Sequence, residues 1–162
     1  MIRCIFALLV TFSSHSNEFQ YNNFNNNKLT INLAEKSLFT KFGDTKEAFL
    51  DCKNSEYRYC IVTPTLAFVI PINIESSWVY GNYSFSVIQE HKSYSYMGKN
   101  LGQSMWIRAE THVNSNSINK VHYDLLFSTR YGLVYFTRSA NSNVIDIWVL
   151  ASEMGIGAKP SS

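Results

Sequence analysis

Glu110, His122 and Asp124 are the residues of this 162-residue chain whose types could do chemistry together. A histidine held by a carboxylate can carry a proton near neutral pH, which is general-base work of the kind a hydrolase needs. Eleven residues separate Glu110 from His122, so the two meet only if two extended segments run back along each other. Segments 105–113 and 120–128 have that character. Ile107, Ala109, Thr111 and Val113 alternate with Arg108, Glu110 and His112. Val121, Tyr123, Leu125 and Phe127 alternate with His122, Asp124 and Ser128. A period of two is the signature of a half-buried strand.

Charge selects the register of that pair. With Ile107 opposite Leu125 and Ala109 opposite Tyr123, Arg108 meets Asp124 and Glu110 meets His122. A slip of two residues sets Glu110 against Asp124, where like charges repel. The first register is therefore expected. It supports either of two readings: a Glu110/His122/Asp124 cluster in an exported hydrolase-like enzyme, or a solvated sheet face crossed by ion pairs. No nucleophile or glycine-rich oxyanion loop stands at a recognisable spacing. No catalytic residue is therefore assigned beyond those three candidates.

Aromatic residues are the second candidate. They make up 15% of the chain, with 10 Tyr, 11 Phe and 3 Trp. Tyr94, Tyr96 and Trp106 lie where a Ser/Tyr loop over 93–103 would present them. Tyr and Trp on a rigid sheet offer contact area at low entropic cost, which suits a protein or glycan partner. The four histidines are His15, His91, His112 and His122. His112 and His122 would share a face, yet their spacing matches no metal motif, so neither metal nor cofactor is expected. Asn82-Tyr83-Ser84 fits the N-glycosylation acceptor pattern.

Cysteine use and the N-terminus set the compartment. Arg3 is followed by an apolar run over 4–12, and Ser14 and Ser16 place small residues around a cut after Ser16. That is the layout of a secretory signal peptide over 1–16. The run is shorter than the ~20 residues a membrane helix needs. The expected product is secreted or periplasmic, with no membrane span after signal removal; the alternative is an uncleaved N-terminal anchor. Cys4 leaves with the signal. Cys52 and Cys60 then remain as an even pair and are expected to form one disulfide. The formal charge is +2, with basic residues scattered rather than clustered, so a nucleic-acid partner is not expected.

The elements that position these residues follow from pattern. Hydrophobic residues are 46% of the chain, enough for one core. The Asn-rich stretch 17–27 is expected to be a flexible polar lead. Segment 28–33 alternates as a strand. Segments 34–42 and 45–52 carry apolar residues at helical spacing and an Asp44/Glu47 cap, which predicts one or two short helices. The runs at 57–62, 66–70 and 83–88 are strands, the second one apolar on both faces. The short connections between 105 and 151 predict a meander of at least four strands. In its last strand, Ile145, Ile147 and Val149 are expected to face inward and Trp148 outward. The expected fold is mainly β (α+β if the helices form), an antiparallel meander of five to eight strands. Residues 28–154 form one globular domain and 155–162 a C-terminal tail.

Overall fold

A computed structural model describes residues 17–40, 45–49, 56–111, 120–141 and 143–158. They form an all-antiparallel β structure with twelve strands, and no helix occurs among the described residues. The strands are β1 (Glu18–Asn22), β2 (Lys28–Asn32), β3 (Ser37–Thr40), β4 (Thr45–Ala48), β5 (Tyr57–Val62), β6 (Ala67–Pro71), β7 (Ser77–Tyr80), β8 (Tyr83–Tyr96), β9 (Lys99–Thr111), β10 (Val121–Ser128), β11 (Gly132–Ala140) and β12 (Asn143–Leu150). Ten of them make one sheet in the order β4-β3-β2-β1-β12-β11-β10-β9-β8-β7, and β5 and β6 form a separate hairpin. The chain thus lays β1 to β4 outward, forms the hairpin, restarts at the far edge with β7 and returns as a meander until β12 meets β1.

The hairpin fills the inner face of the sheet. All of β6 is buried, as its unbroken apolar run requires. Phe68 packs against Phe127 of β10 at 6.0 Å between ring centroids. The Tyr123 hydroxyl donates to the Pro64 carbonyl in the hairpin turn (3.0 Å). Both edges of the sheet are tied to the hairpin. At the β7 edge, Trp78 Nε1 donates to the Val69 carbonyl (3.1 Å) and the Tyr57 hydroxyl to the Val79 carbonyl (2.7 Å). At the β4 edge, Glu47 accepts from the Thr65 amide and hydroxyl. A sheet whose opposite edges reach one hairpin must wrap around it, and that contact covers edges that would otherwise recruit foreign strands.

Several expectations change. Where described, the two short helices are strands: residues 34–40 contribute the turn at Lys36 (φ 50°) and β3, and residues 45–48 form β4, while 41–44, Asp44 included, and 50–52 lie outside the described residues. Leu38 stands opposite Ile31 with both fully buried, and such packing outweighs the weak propensity of a segment too short to hold a helix alone. The strand count is twelve rather than five to eight. The stretch 17–27, expected to be flexible, carries β1 with Tyr21 fully buried. Its asparagines build the β1–β2 turn, where Asn23 Oδ1 accepts from the amides of Asn25 and Asn27 (2.9 Å each). The described part of the tail also docks: Ile156 is fully buried, its carbonyl accepts from the Leu133 amide (2.8 Å), and the Gly155 amide donates to Tyr131 (2.7 Å). Gly132 (φ 75°) permits this approach, because a Cβ there would collide with the Ile156 carbonyl.

The last strand is phased opposite to expectation. Arg138 pairs with Asp146 and Ser139 with Val144, so Ile145 is the extra residue of a β-bulge. The bulge turns Trp148 inward to 4% exposure, stacked on Phe136 at 6.4 Å, and leaves Ile145 52% exposed. An indole buries more apolar surface than an isoleucine, so this phase is the favoured one.

Candidate functional site

The register between β9 and β10 is the one that charge selects. Ile107 faces Leu125, Ala109 faces Tyr123, Arg108 faces Asp124 and Glu110 faces His122. Directly paired residues share a face, and faces alternate along each strand. Val87, Ile107, Leu125, Phe136 and Trp148 form one row toward the hairpin. The adjacent rows therefore lie outward. One runs Ser86, Arg108, Asp124, Thr137 and Ile147; its neighbour toward the β9 C-terminus runs Ser84, Glu110, His122, Ser139 and Val144. On the other side of the Arg108 row stand Trp106, Leu126, Tyr135 and Val149.

This outer face thus gathers all three candidate catalytic side chains with Trp106. Arg108 grips Asp124 with two hydrogen bonds, Nε to Oδ1 at 2.8 Å and Nη2 to Oδ2 at 3.1 Å. The bidentate bond raises the guanidinium's affinity for its proton, burial opposes it, and the charges of Asp124 and Glu110 add to the rise. Both carboxylate oxygens of Asp124 accept from Arg108, and no hydrogen bond among the described residues joins Asp124 to His122. His122 is half-buried beside an exposed Glu110, and no hydrogen bond joins the two. The face is a charged, ordered surface. It does not hold a shielded acid–base pair.

The aromatic candidates form a cluster next to it. The segment 93–103 is strand rather than loop: β8 and β9 form a long hairpin arm whose turn, Met97 (φ 47°) and Gly98 (φ 76°), joins Tyr96 to Lys99. Two successive left-handed residues make the turn type that matches strand twist. Tyr96 meets the edge of Tyr135 at 5.7 Å, and Trp106 meets Tyr135 at 5.6 Å, both T-shaped. Tyr94 stacks on His91 at 4.4 Å. Burial pushes the pKa of the Tyr135 hydroxyl above its ordinary value, with the charges of Tyr96 and Asp124 adding to the rise. Tyr96 is raised by burial and then by Tyr94. The tyrosine cluster and the Arg108–Asp124 pair are therefore electrostatic neighbours. Tyr94, Tyr96, Trp106 and Tyr135 are all half-buried, with one side packed on the protein and the other facing solvent.

Sequence reasoning did not single out Tyr135 from the other aromatic residues, and register does: Leu126 stands between Trp106 and Tyr135 on neighbouring strands. Cys60 is buried on β5, while Cys52 lies outside the described residues, as do His112 and the segment 1–16. Among the described residues no group of three or more His, Cys, Asp or Glu could hold a metal ion. No helix among them is long and apolar enough to cross a membrane. No family model, curated protein or solved structure matches the chain.

Proposed function

We propose that this chain is a small exported binding module that engages a protein or glycan through the outer face of its ten-stranded sheet. One observation carries the reading: Tyr94, Tyr96, Trp106 and Tyr135 lie together beside an ordered Arg108–Asp124 pair, on the face the hairpin leaves uncovered. Half-exposed Tyr and Trp on rigid strands lose little entropy on contact, and a fixed ion pair offers directional donors and acceptors. A hydrolase built on Glu110, His122 and Asp124 receives less support, because Asp124 is paired with Arg108 and neither carboxylate is hydrogen-bonded to His122.

The address and the staple belong to the same proposal. The segment 1–16 directs export and is cut after Ser16, and Cys52 bridges to Cys60 in the oxidising compartment. A loop of this size contributes ~2–3 kcal/mol in the chain-entropy model. Intact mass of the natural product tests both points. The expected mass lacks residues 1–16, and thiol titration of the unfolded, unreduced protein finds no free thiol. Retained Met1 would overturn the first, and reactive thiols at both Cys52 and Cys60 would overturn the second. The binding surface is tested with the purified mature protein on panels of glycans and exported proteins. Binding is expected to vanish in Tyr94→Ala while the melting temperature holds. Undiminished binding would sink the surface assignment.

A further inference from the structure

The two outermost strands of the sheet are tied to the hairpin, yet an edge inside the sheet stays open. β1 pairs with β12 at Tyr21–Leu150 and Asn22–Val149, then turns away through residues 23–27 into β2. β12 starts at Asn143, so residues 143–148 run on past the end of β1 with β11 on one side alone. Among the described residues no strand pairs with them on the other side. The step is about 20 Å long at ~3.3 Å per residue. Its backbone groups have a defined direction. The Ala151 amide donates to the Gln20 carbonyl of β1 (2.8 Å). Alternate residues of an antiparallel strand bond to the same side, so Val149 turns to Asn22 and Ile147 aims its amide and carbonyl into the gap. The strand is also exposed there, Val144 by 57% and Ile145 by 52%. Asp146 is the only charged side chain of β12. It stands opposite Arg138, in the row that Tyr123 continues along the hairpin side, and is 32% exposed. Its ion pair with Arg138 Nη1 spans 3.8 Å, longer than a hydrogen bond, so the carboxylate keeps lone pairs for a second cation.

An unpaired strand edge is a template for another strand, and a peptide added to it gains main-chain hydrogen bonds. We propose that the edge Asn143–Trp148 takes an extended segment of a partner protein as an added antiparallel strand, along the path that β1 leaves. Directly paired residues share a face, so the segment carries Lys or Arg opposite Asp146 on the hairpin side and apolar side chains opposite Val144 and Ile147 on the outer side. Charge selects a foreign segment over a second copy of this chain. Two copies joined by this edge run antiparallel about a two-fold axis. Every register that overlaps most of residues 143–148 then brings their two Asp146 carboxylates near each other, where like charges repel. A basic residue in the segment turns that repulsion into attraction. The site uses backbone groups and Asp146 rather than the aromatic cluster, so it stands independently of the proposed function.

The test is amide hydrogen exchange read by NMR on the purified protein. The probe is the blocked hexapeptide Ac-Thr-Val-Lys-Val-Thr-Val-NH2. One control carries Glu in place of Lys, and another carries N-methyl groups on alternate amides. In the free protein the Ile147 amide is expected to exchange at least about tenfold faster than that of Val149, which β1 covers. The Lys probe is expected to slow Ile147 saturably, the Glu probe to bind several-fold more weakly, and the N-methylated probe to give no protection. Ile147→Pro removes the donor and is expected to abolish binding; its amide points away from β11, so that ladder is kept. Should Ile147→Pro not fold, Asp146→Asn carries the variant test and is expected to level the Lys and Glu probes. No protection of Ile147 by the Lys probe, or equal binding of the N-methylated one, would overturn the added strand. A dimeric mass in sedimentation, with Ile147 protected before any peptide is added, would overturn the foreign partner in favour of a second copy.

Discussion

The two faces of the same sheet are built on opposite terms. The inner face is mostly apolar, and its tyrosines reach specific carbonyls, Tyr21 that of Leu133 (2.9 Å) and Tyr123 that of Pro64 (3.0 Å). The outer face at the same strands carries Glu110, His122, Arg108 and Asp124, with half-exposed rings in the next row. The inner face holds the fold, and the outer face is the one proposed for contact. Substitutions should therefore cost stability on one side and leave it nearly untouched on the other.

Alkaline titration should break the fold first from within. Burial pushes Tyr21 and Tyr123 far above the ordinary tyrosine value of 10.0, and Tyr96 and Tyr135 are raised as well. The folded chain then holds more protons than the unfolded chain above pH 10. The stability from these groups is fully present below that pH and is lost as pH rises through the folded values. Denaturation curves should be level in this respect below pH 10 and collapse above it, with late phenolate absorbance from the inner tyrosines. Early, simultaneous ionisation of all ten tyrosines would erase the contrast.

Phe136→Ala should cost about 3–5 kcal/mol in urea unfolding, since it removes a fully buried ring set between Tyr21 and Trp148. Tyr21→Phe keeps the ring and strands the Leu133 carbonyl, so about 1–3 kcal/mol is expected from the same measurement. On the outer face, Arg108→Ala should cost about 1 kcal/mol, the upper end for a partly exposed ion pair with bidentate geometry. His122→Ala should fall within about 1 kcal/mol as well. A large loss at either outer position would mean that this face also belongs to the core.

Legibility differed along the chain for physical reasons. The β9–β10 register was readable because Arg108, Glu110, His122 and Asp124 discriminate between slips. The meander β9 to β12 was readable because its connections are short and its apolar alternation is clean. Segment 34–48 was not, because three apolar residues at helical spacing also fit a strand once Leu38 finds Ile31. The phase of β12 was hidden by a bulge that no local pattern marks. The wrapping of the sheet depends on long-range bonds such as Glu47 to Thr65 and Trp78 to Val69, which leave no periodic trace. The candidate surface was half legible: Tyr94, Tyr96 and Trp106 were in view, and Tyr135 emerged only with the order of strands.

Hydroxyl-radical footprinting tests the division most directly, comparing the purified chain with the same chain in its native cell fraction. If the outer face is the contact surface, Tyr94, Tyr96, Trp106 and Tyr135 lose oxidation in the native fraction while Phe24, which is 75% exposed elsewhere, does not. Equal oxidation of the four rings in both samples, or protection confined to Phe24 and other remote residues, would contradict the account.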